Sequence, residues 1–379
     1  MRTVNAAGLA IGDDAPPRIM GVLNVSKESP YKPSVFNDSA EAAEYVDTEL
    51  IDQGADIVDI GLESANKKFE VLSAEDELDR LETALAVVES VSGDAVFSIE
   101  TRYHEVAEAA IEGGFDMVND ICGFADPEMP RVCEEYDVAV AKMASPPDLE
   151  RPGAVERVDD IYDALELNGF TDKTIVDPAF GGWSEEKTLE DDRETFHRLR
   201  EFRGYGRPIL VSINRKNFLR DVAGRSTEEA LSVSLAATAM AVERGAHVVR
   251  THDVAETRDA ALIGREFTRE RVRETGDIAI EELDVTTAGD AARHLDRLGA
   301  DTEPAAESVV RTVELTGVSD EERATLDTVA REAGVTFVVG SDRDRLLLLG
   351  TPGGFARLRA AVDDPDGTLD AALERLPTA

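Results

Sequence analysis

Short apolar runs recur through the first two-thirds of the chain: Ile19–Val25, Asp56–Gly61, Ala95–Thr101, Asp116–Ile121, Val138–Met143, Lys173–Asp177, Pro208–Ile213 and His247–Thr251. Their near-continuous hydrophobicity is that of strands covered on both faces, as in a parallel sheet. Between them lie stretches such as SAEAAEYVDTELIDQGA and TEEALSVSLAATAMAVERGA, whose apolar residues fall at three- and four-residue spacing and predict amphipathic helices. Gly54, Gly113 and Gly245 stand where those helices should stop. Eight strand–helix units in about 250 residues predict a (β/α)8 TIM barrel, better than an open sheet. Residues 3–18 read as a small hairpin closing the barrel floor.

After about residue 275 the pattern changes. RTVELTGV, DEERATLDTVAREAG, VTFVVGS, RLLLLG and TPGGFARLRAAV predict a β-α-β-β-α unit. The expected fold class is therefore α/β, with a barrel over residues 1–275 and a small C-terminal α/β domain over 276–379. The acidic, Thr/Ala-rich stretch Asp284–Glu307 reads as including a linker. The second unit carries no chemical motif, and its expected role is homodimerisation or packing on the barrel.

Composition narrows the class. Of 379 residues 42% are hydrophobic, enough for a sizeable core, and no apolar run approaches membrane-spanning length. The start, MRTVNAAGLAIGDD, lacks the apolar segment and cleavage site of a signal peptide, so the expected location is cytoplasmic. Cys122 and Cys133 are too few for a disulfide framework and read as buried small hydrophobes in a reducing compartment. The net charge of -39 would suit a disordered chain, but the recurrent aliphatic runs argue against one. It suits a carboxylate-covered protein in molar salt, where the Debye length is ~3 Å. Such a surface makes nucleic acid or an anionic membrane an unsuitable partner.

Only eight of the 40 basic residues are lysine, so each is informative. Barrel active sites form at the C-terminal ends of the strands. There the sequence places Asn24, Lys27 and Lys32; Glu63, Ser64, Lys67 and Lys68; Glu100; Asn119 and Asp120; Lys142 and Met143; Asp177, Phe180, Gly181, Gly182 and Lys187; Arg215 and Lys216; and Arg250, His252 and Asp253. Every lysine but Lys173 is thus expected on one rim, a local positive field for an anionic ligand. Taken singly, Asp177-Pro178 is an ordinary turn, His252 a packed histidine and Asn119-Asp120 a helix cap. Together they describe polar groups at the mouth of an apolar barrel, which a planar hydrogen-bonding ligand would satisfy.

In this order, IMGVLNVSKES, VNDI, DPAFGG, SINRK and RTHDV resemble the strand signatures of the dihydropteroate synthase family over roughly residues 18–268. The resemblance implies a (β/α)8 barrel that joins dihydropterin methyl diphosphate to para-aminobenzoate, releasing pyrophosphate, with Mg²⁺. It implies that Asn119, Asp177 and Lys216 hold the pterin, that Met143 packs on it, and that Asn24, Arg250 and His252 bind the diphosphate and its metal. Glu100, Ser64, Phe180, Gly181 and Arg215 are expected to line the substrate site. The chain departs from the pattern at Glu100, where aspartate is usual. It departs again at Ala65-Asn66, without the usual arginine, and at Lys27-Glu28-Ser29-Pro30, without the usual aromatic. A non-catalytic pterin-binding paralogue and a methyltetrahydropterin:corrinoid methyltransferase are the alternatives. The second needs no diphosphate clamp, which the basic residues of the last two strands would supply.

Overall fold

The computed structural model describes the chain except residues 27–33, 37, 64–70, 150–152, 154, 182–186, 270, 276–277, 342–344, 363–367 and 378–379. The chain divides into two compact units, Met1–Glu282 and Leu283–Ala379.

In the first unit a hairpin of β1 (Val4–Ala6) and β2 (Leu9–Ile11) precedes eight parallel strands. These are β3 (Arg18–Asn24), β4 (Ile57–Gly61), β5 (Val96–Thr101), β6 (Met117–Asp120), β7 (Ala139–Met143), β8 (Thr174–Asp177), β9 (Leu210–Val211) and β10 (Val248–Thr251). Their hydrogen-bonded order is β8-β7-β6-β5-β4-β3-β10-β9. A parallel bridge from Val176 to Ile209 closes β8 onto β9, giving the TIM barrel. β9 is shorter than the sequence suggests. Pro208 has no N–H to donate, and the Ile209 N–H is taken by His247 Nδ1 at 3.0 Å rather than by a neighbouring strand.

Inward residues from the strand starts, Met20, Ile57, Val96, Met117, Ala139, Ile175, Leu210 and Val248, form an apolar cluster with Val4, Ala6 and Ile11 of the hairpin. The hairpin therefore seals the floor of the barrel. Beside it Asp13 accepts two hydrogen bonds of 3.0 Å from Arg203 and one of 3.2 Å from His247. Burial alone would raise this carboxyl, but His247 and Arg203 win and hold it well below the usual carboxylate range. Outward residues such as Ile19, Val58, Phe97, Val118, Val140, Val176 and Val249 pack against the helices in a second, larger core.

Some of the barrel helices begin on side-chain caps. Ser73 and Asp76 form a capping box on helix Ala74–Ser90, and Thr188 and Asp191 one on Leu189–His197. Acidic residues in these first turns also suit the helix dipole, so part of the negative charge has a local structural use.

Lys142 corrects an expectation. On β7 it alternates with Ala141 and Met143 and so faces outward, away from the mouth. Its Nζ donates to the carbonyls of Leu165, Leu167 and Gly169 at 2.8, 2.5 and 2.7 Å, between the rings of Phe124 and Phe170. Burial pushes its ammonium down to about 7, and three acceptors hold it in place. Lys142→Met should leave three carbonyls without this donor and cost about 3 kcal/mol or more, while per-molecule turnover stays near normal. Denaturant unfolding beside a turnover assay checks this; a large loss of turnover at unchanged stability would return Lys142 to the site.

The first unit ends in a hairpin of β11 (Val272–Thr275) and β12 (Ile278–Glu281), which carries the division between units past residue 275. In the second unit, Asp284–Glu307 includes a helix, Ala288–Arg297, capped by Thr287 and Asp290. A three-stranded antiparallel sheet follows, β13 (Arg311–Thr316), β14 (Thr336–Val339) and β15 (Arg345–Gly350), in the order β13-β15-β14. Leu326, Leu346, Leu348, Phe355 and Leu358 form its core with the helices Asp320–Glu332 and Pro352–Ala361. Cys122 and Cys133 are buried and free, and burial pushes both thiols up, as unreactive core cysteines require.

Candidate active site

Each strand presents alternate residues to the barrel interior. Above the apolar floor the same inward positions turn polar: Asp59 follows Ile57, Ser98 and Glu100 follow Val96, Asn119 follows Met117, Asp177 follows Ile175, and Arg250 follows Val248. The change falls at the C-terminal half of the barrel, where the loops open.

Asp59 is the hub. Its Oδ1 accepts from Ser98 Oγ at 2.8 Å, and its Oδ2 accepts from Asn119 Nδ2 at 3.0 Å and Arg250 Nε at 2.7 Å. Arg250 Nη2 donates to Glu100 Oε2 at 2.5 Å. One guanidinium therefore links β10 to β4 and β5 across the interior, over the intervening β3. Asp59 is fully buried, and a buried carboxylate persists only when paired and hydrogen-bonded in this way. Burial would lower the Arg250 pKa, but Glu100 and Asp59 outweigh it and raise it, keeping the arginine charged. Burial pushes Glu100 up, with Asp59 and Glu63 adding to the effect and Arg250 and Lys216 opposing it.

Asp177 and Lys216 form the second group. Asp177 Oδ1 accepts from the Ala179 N–H at 2.8 Å. Burial pushes its carboxyl up to about 6, against that hydrogen bond, Lys216, Arg250 and Lys187. Gly181 has φ +99°, and a Cβ there would lie 2.9 Å from Lys216 Cδ and 3.0 Å from Nζ. Only glycine lets the lysine stem lie across this turn. Burial and Arg250 lower the Lys216 pKa, with Asp177 opposing. Lys187 is buried, donating to the Ala179 carbonyl at 2.7 Å and pairing with Asp192 at 3.3 Å, so it supports the turn.

Arg215 is fixed by protein partners. With φ +53°, its guanidinium grips Asp253 through Nε at 2.8 Å and Nη2 at 2.9 Å, and Nη1 donates to the carbonyls of Thr227 and Glu228. It ties the loop after β9 to the loop after β10 and so places Lys216. Phe180 is 1% exposed, its ring stacked on Phe218 at 5.7 Å and edge-on to Phe196 at 6.1 Å. That packing occupies its ring in the helix layer. His252 is held down to about 3 by burial, then by Arg250, Lys216 and Arg215, with Asp253 opposing, so it is neutral at physiological pH. Met143 lies on β7 in register with Asp177. Asp120 caps its own turn through the N–H groups of Cys122 and Phe124.

Asn24 Nδ2 donates to Ser34 Oγ at 2.9 Å. Its Oδ1 and Glu100 Oε1 flank the space a Cβ on Gly61 would fill, at 3.3 and 3.5 Å from that point. Two hard oxygens beside a gap kept open by glycine suit a hard divalent cation such as Mg²⁺. Ser64, Lys27, Lys32, Lys67, Lys68 and Gly182, with the altered first and second loops, lie outside the described residues.

Sequence reasoning missed Asp59, Ser98 and the buried Arg102. Arg102 donates to Glu63 and to the Leu72 carbonyl, fastening the end of β4 to that of β5. The signal for Asp59 was present: an acid at an inward position within the apolar run IVDIG.

The family model described as pterin binding enzyme matches residues 20–252, the span from β3 to the loop after β10. The chain belongs to the pterin binding enzyme family. It is 36% identical over 66% of its length to a probable bifunctional folylpolyglutamate synthase/dihydropteroate synthase of Halobacterium salinarum, of which it spans only 31%. It is 33% identical over 64% of its length to the dihydropteroate synthase of Clostridium beijerinckii, spanning 91% of that protein. Among solved structures, a Coxiella burnetii dihydropteroate synthase in complex with pteroic acid superposes with a TM-score of 0.58 at 29% identity, covering 70% of this chain and 98% of that one. The likeness lies in the barrel, and the second unit is left over from it.

Proposed function

We propose that the protein is a dihydropteroate synthase, condensing 6-hydroxymethyl-7,8-dihydropterin diphosphate with para-aminobenzoate or a related arylamine. The carrying observation is the interior polar layer. Asp177 and Lys216 form one group at the mouth, and Asn119 and Arg250 meet on the shared Asp59 in the other, with Glu100 on the far nitrogen of the arginine. A ligand with a hydrogen-bonding ring and an anionic tail fits both halves. The pteroic acid bound by the Coxiella burnetii relative contains both organic parts of the product.

In this reading Asp177 accepts hydrogen bonds from the pterin amidine edge, Asn119 and Lys216 bind its ring, and Met143 packs on its face. The arylamine nitrogen attacks the methylene carbon, the carbon–oxygen bond to diphosphate breaks, and pyrophosphate leaves with the electron pair. The nitrogen then loses its proton to solvent. Arg250 and neutral His252, as a hydrogen-bond donor, would stabilise charge gathering on the leaving group. Asn24 would hold Mg²⁺ beside Glu100, and the ion would offset diphosphate charge when bound. Because the amine is a nucleophile without deprotonation, positioning contributes most of what remains.

A cytoplasmic homodimer is part of the same proposal. No helix among the described residues is long and apolar enough to cross a membrane. Met240, Ile263 and Phe267 expose apolar side chains on or just after neighbouring barrel helices, a face suited to a second copy.

The deciding experiment is pyrophosphate release from dihydropterin diphosphate in molar KCl, with and without para-aminobenzoate. Release should require the arylamine; release indifferent to it, or none, would overturn the reading. The same assay should lose kcat/KM as pH falls through about 6, where Asp177 takes up a proton and stops accepting from the pterin. Asp177→Asn should lower the plateau and remove that limb of the profile.

A further inference from the structure

Glu100 and Asp59 share one guanidinium, but they are not equivalent. Asp59 is 0% exposed and is fixed by donors from Ser98, Asn119 and Arg250. Glu100 is 9% exposed and sits one inward position nearer the mouth, in register with Gly61 rather than Asp59. Its Oε2 meets Arg250 Nη2 at 2.5 Å. Where the resembling family has aspartate, the side chain would be about 1.5 Å shorter, one carbon–carbon bond. The added methylene is what carries the carboxylate to the arginine. The other charged groups facing Glu100 are Glu63, beyond β4, and Lys216, after β9.

A diphosphate that pairs with Arg250 must take the place of one of these carboxylates or accept a carboxylate beside it. Asp59 cannot yield, because it would be left buried with its charge and without its arginine. Glu100 can, because among the described residues Arg250 is its one side-chain hydrogen-bond partner, and it keeps 9% exposure where Asp59 has none.

On the synthase reading above, we propose that Glu100 is a release residue: its carboxylate and the diphosphate compete for Arg250 Nη2, so Glu100 recaptures the arginine as pyrophosphate leaves. Like charges a few ångströms apart in a partly buried site repel strongly. Removing the Glu100 charge should therefore tighten pyrophosphate binding by about tenfold or more.

Titration calorimetry with inorganic pyrophosphate, in molar KCl with EDTA, compares the full-length protein with Glu100→Gln and Glu100→Asp. Glu100→Gln is expected to bind pyrophosphate about tenfold tighter and Glu100→Asp to fall between, with 6-hydroxymethyl-7,8-dihydropterin, which has no diphosphate, showing no comparable gain. Steady-state product inhibition by pyrophosphate should strengthen by the same factor, with kcat lowered as release slows. A merely structural role would weaken binding, never tighten it. Unchanged or weaker pyrophosphate binding by a folded Glu100→Gln protein overturns the proposal, and Glu100→Asp decides in the same way should the glutamine variant not fold. The two ideas fail separately: tighter pyrophosphate binding without product formation by any of the proteins supports competition at Arg250 and overturns the synthase reading.

Discussion

Arg250→Met is expected to lower turnover by about a hundred- to a thousandfold, the usual consequence of removing a positioned donor to developing charge. The side chain offers its guanidinium from the barrel interior, aligned by Asp59 at 2.7 Å and Glu100 at 2.5 Å. Methionine keeps much of the stem but none of the charge. The same change removes a partner from the fully buried Asp59, which retains Ser98 and Asn119, so some stability goes as well, up to about 3–5 kcal/mol. Thermal unfolding in molar KCl separates the two effects, since a folded but slow enzyme is the expected outcome. Lys216→Ala, which removes the ammonium over Gly181, should instead raise KM for the dihydropterin diphosphate more than it lowers kcat. Near-normal pyrophosphate release by a folded Arg250→Met protein would take the arginine out of its assigned role.

Transfer from molar to about 0.1 M KCl is expected to lower the melting temperature by about 10 °C or more. The chain carries 79 acidic and 40 basic side chains, a net charge of -39. Lengthening the Debye length from ~3 Å to ~10 Å lets neighbouring surface carboxylates act on one another. Exposed pairs such as Arg131 with Glu128 and Glu135 strengthen in low salt, but each is worth only about 0–1 kcal/mol. They cannot offset an excess of this size. At roughly 2–4 °C per kcal/mol for a domain of this size, the expected fall corresponds to a few kcal/mol. NaCl and KCl at equal ionic strength should protect equally, because screening depends on charge concentration. Calorimetric scans over a salt series would show it, and a melting temperature indifferent to salt would refute the account.

The barrel was legible because burial on two faces and helical spacing are periodic properties of the chain itself. The alternation of the runs from Ile19 to Thr251 already required eight parallel strands, and with them a mouth rich in polar strand ends. Asn24, Glu100, Asn119, Asp177 and Arg250 could be picked out as polar residues ending apolar runs. Which of the mouth's charges face a ligand was another matter, because that depends on side-chain direction and on partners distant in sequence. One step of register turned Lys142 outward onto the carbonyls of Leu165, Leu167 and Gly169. Asp253 claimed Arg215, and Phe196 and Phe218 claimed Phe180. Asp59 went unnoticed because a single acid in a buried run has no meaning until Ser98, Asn119 and Arg250 are brought to it from three other strands. Local periodicity thus determined the scaffold and the end at which its chemistry lies. Closure of the barrel decided the pairings, since desolvated charges must find partners and only tertiary structure brings those partners within reach.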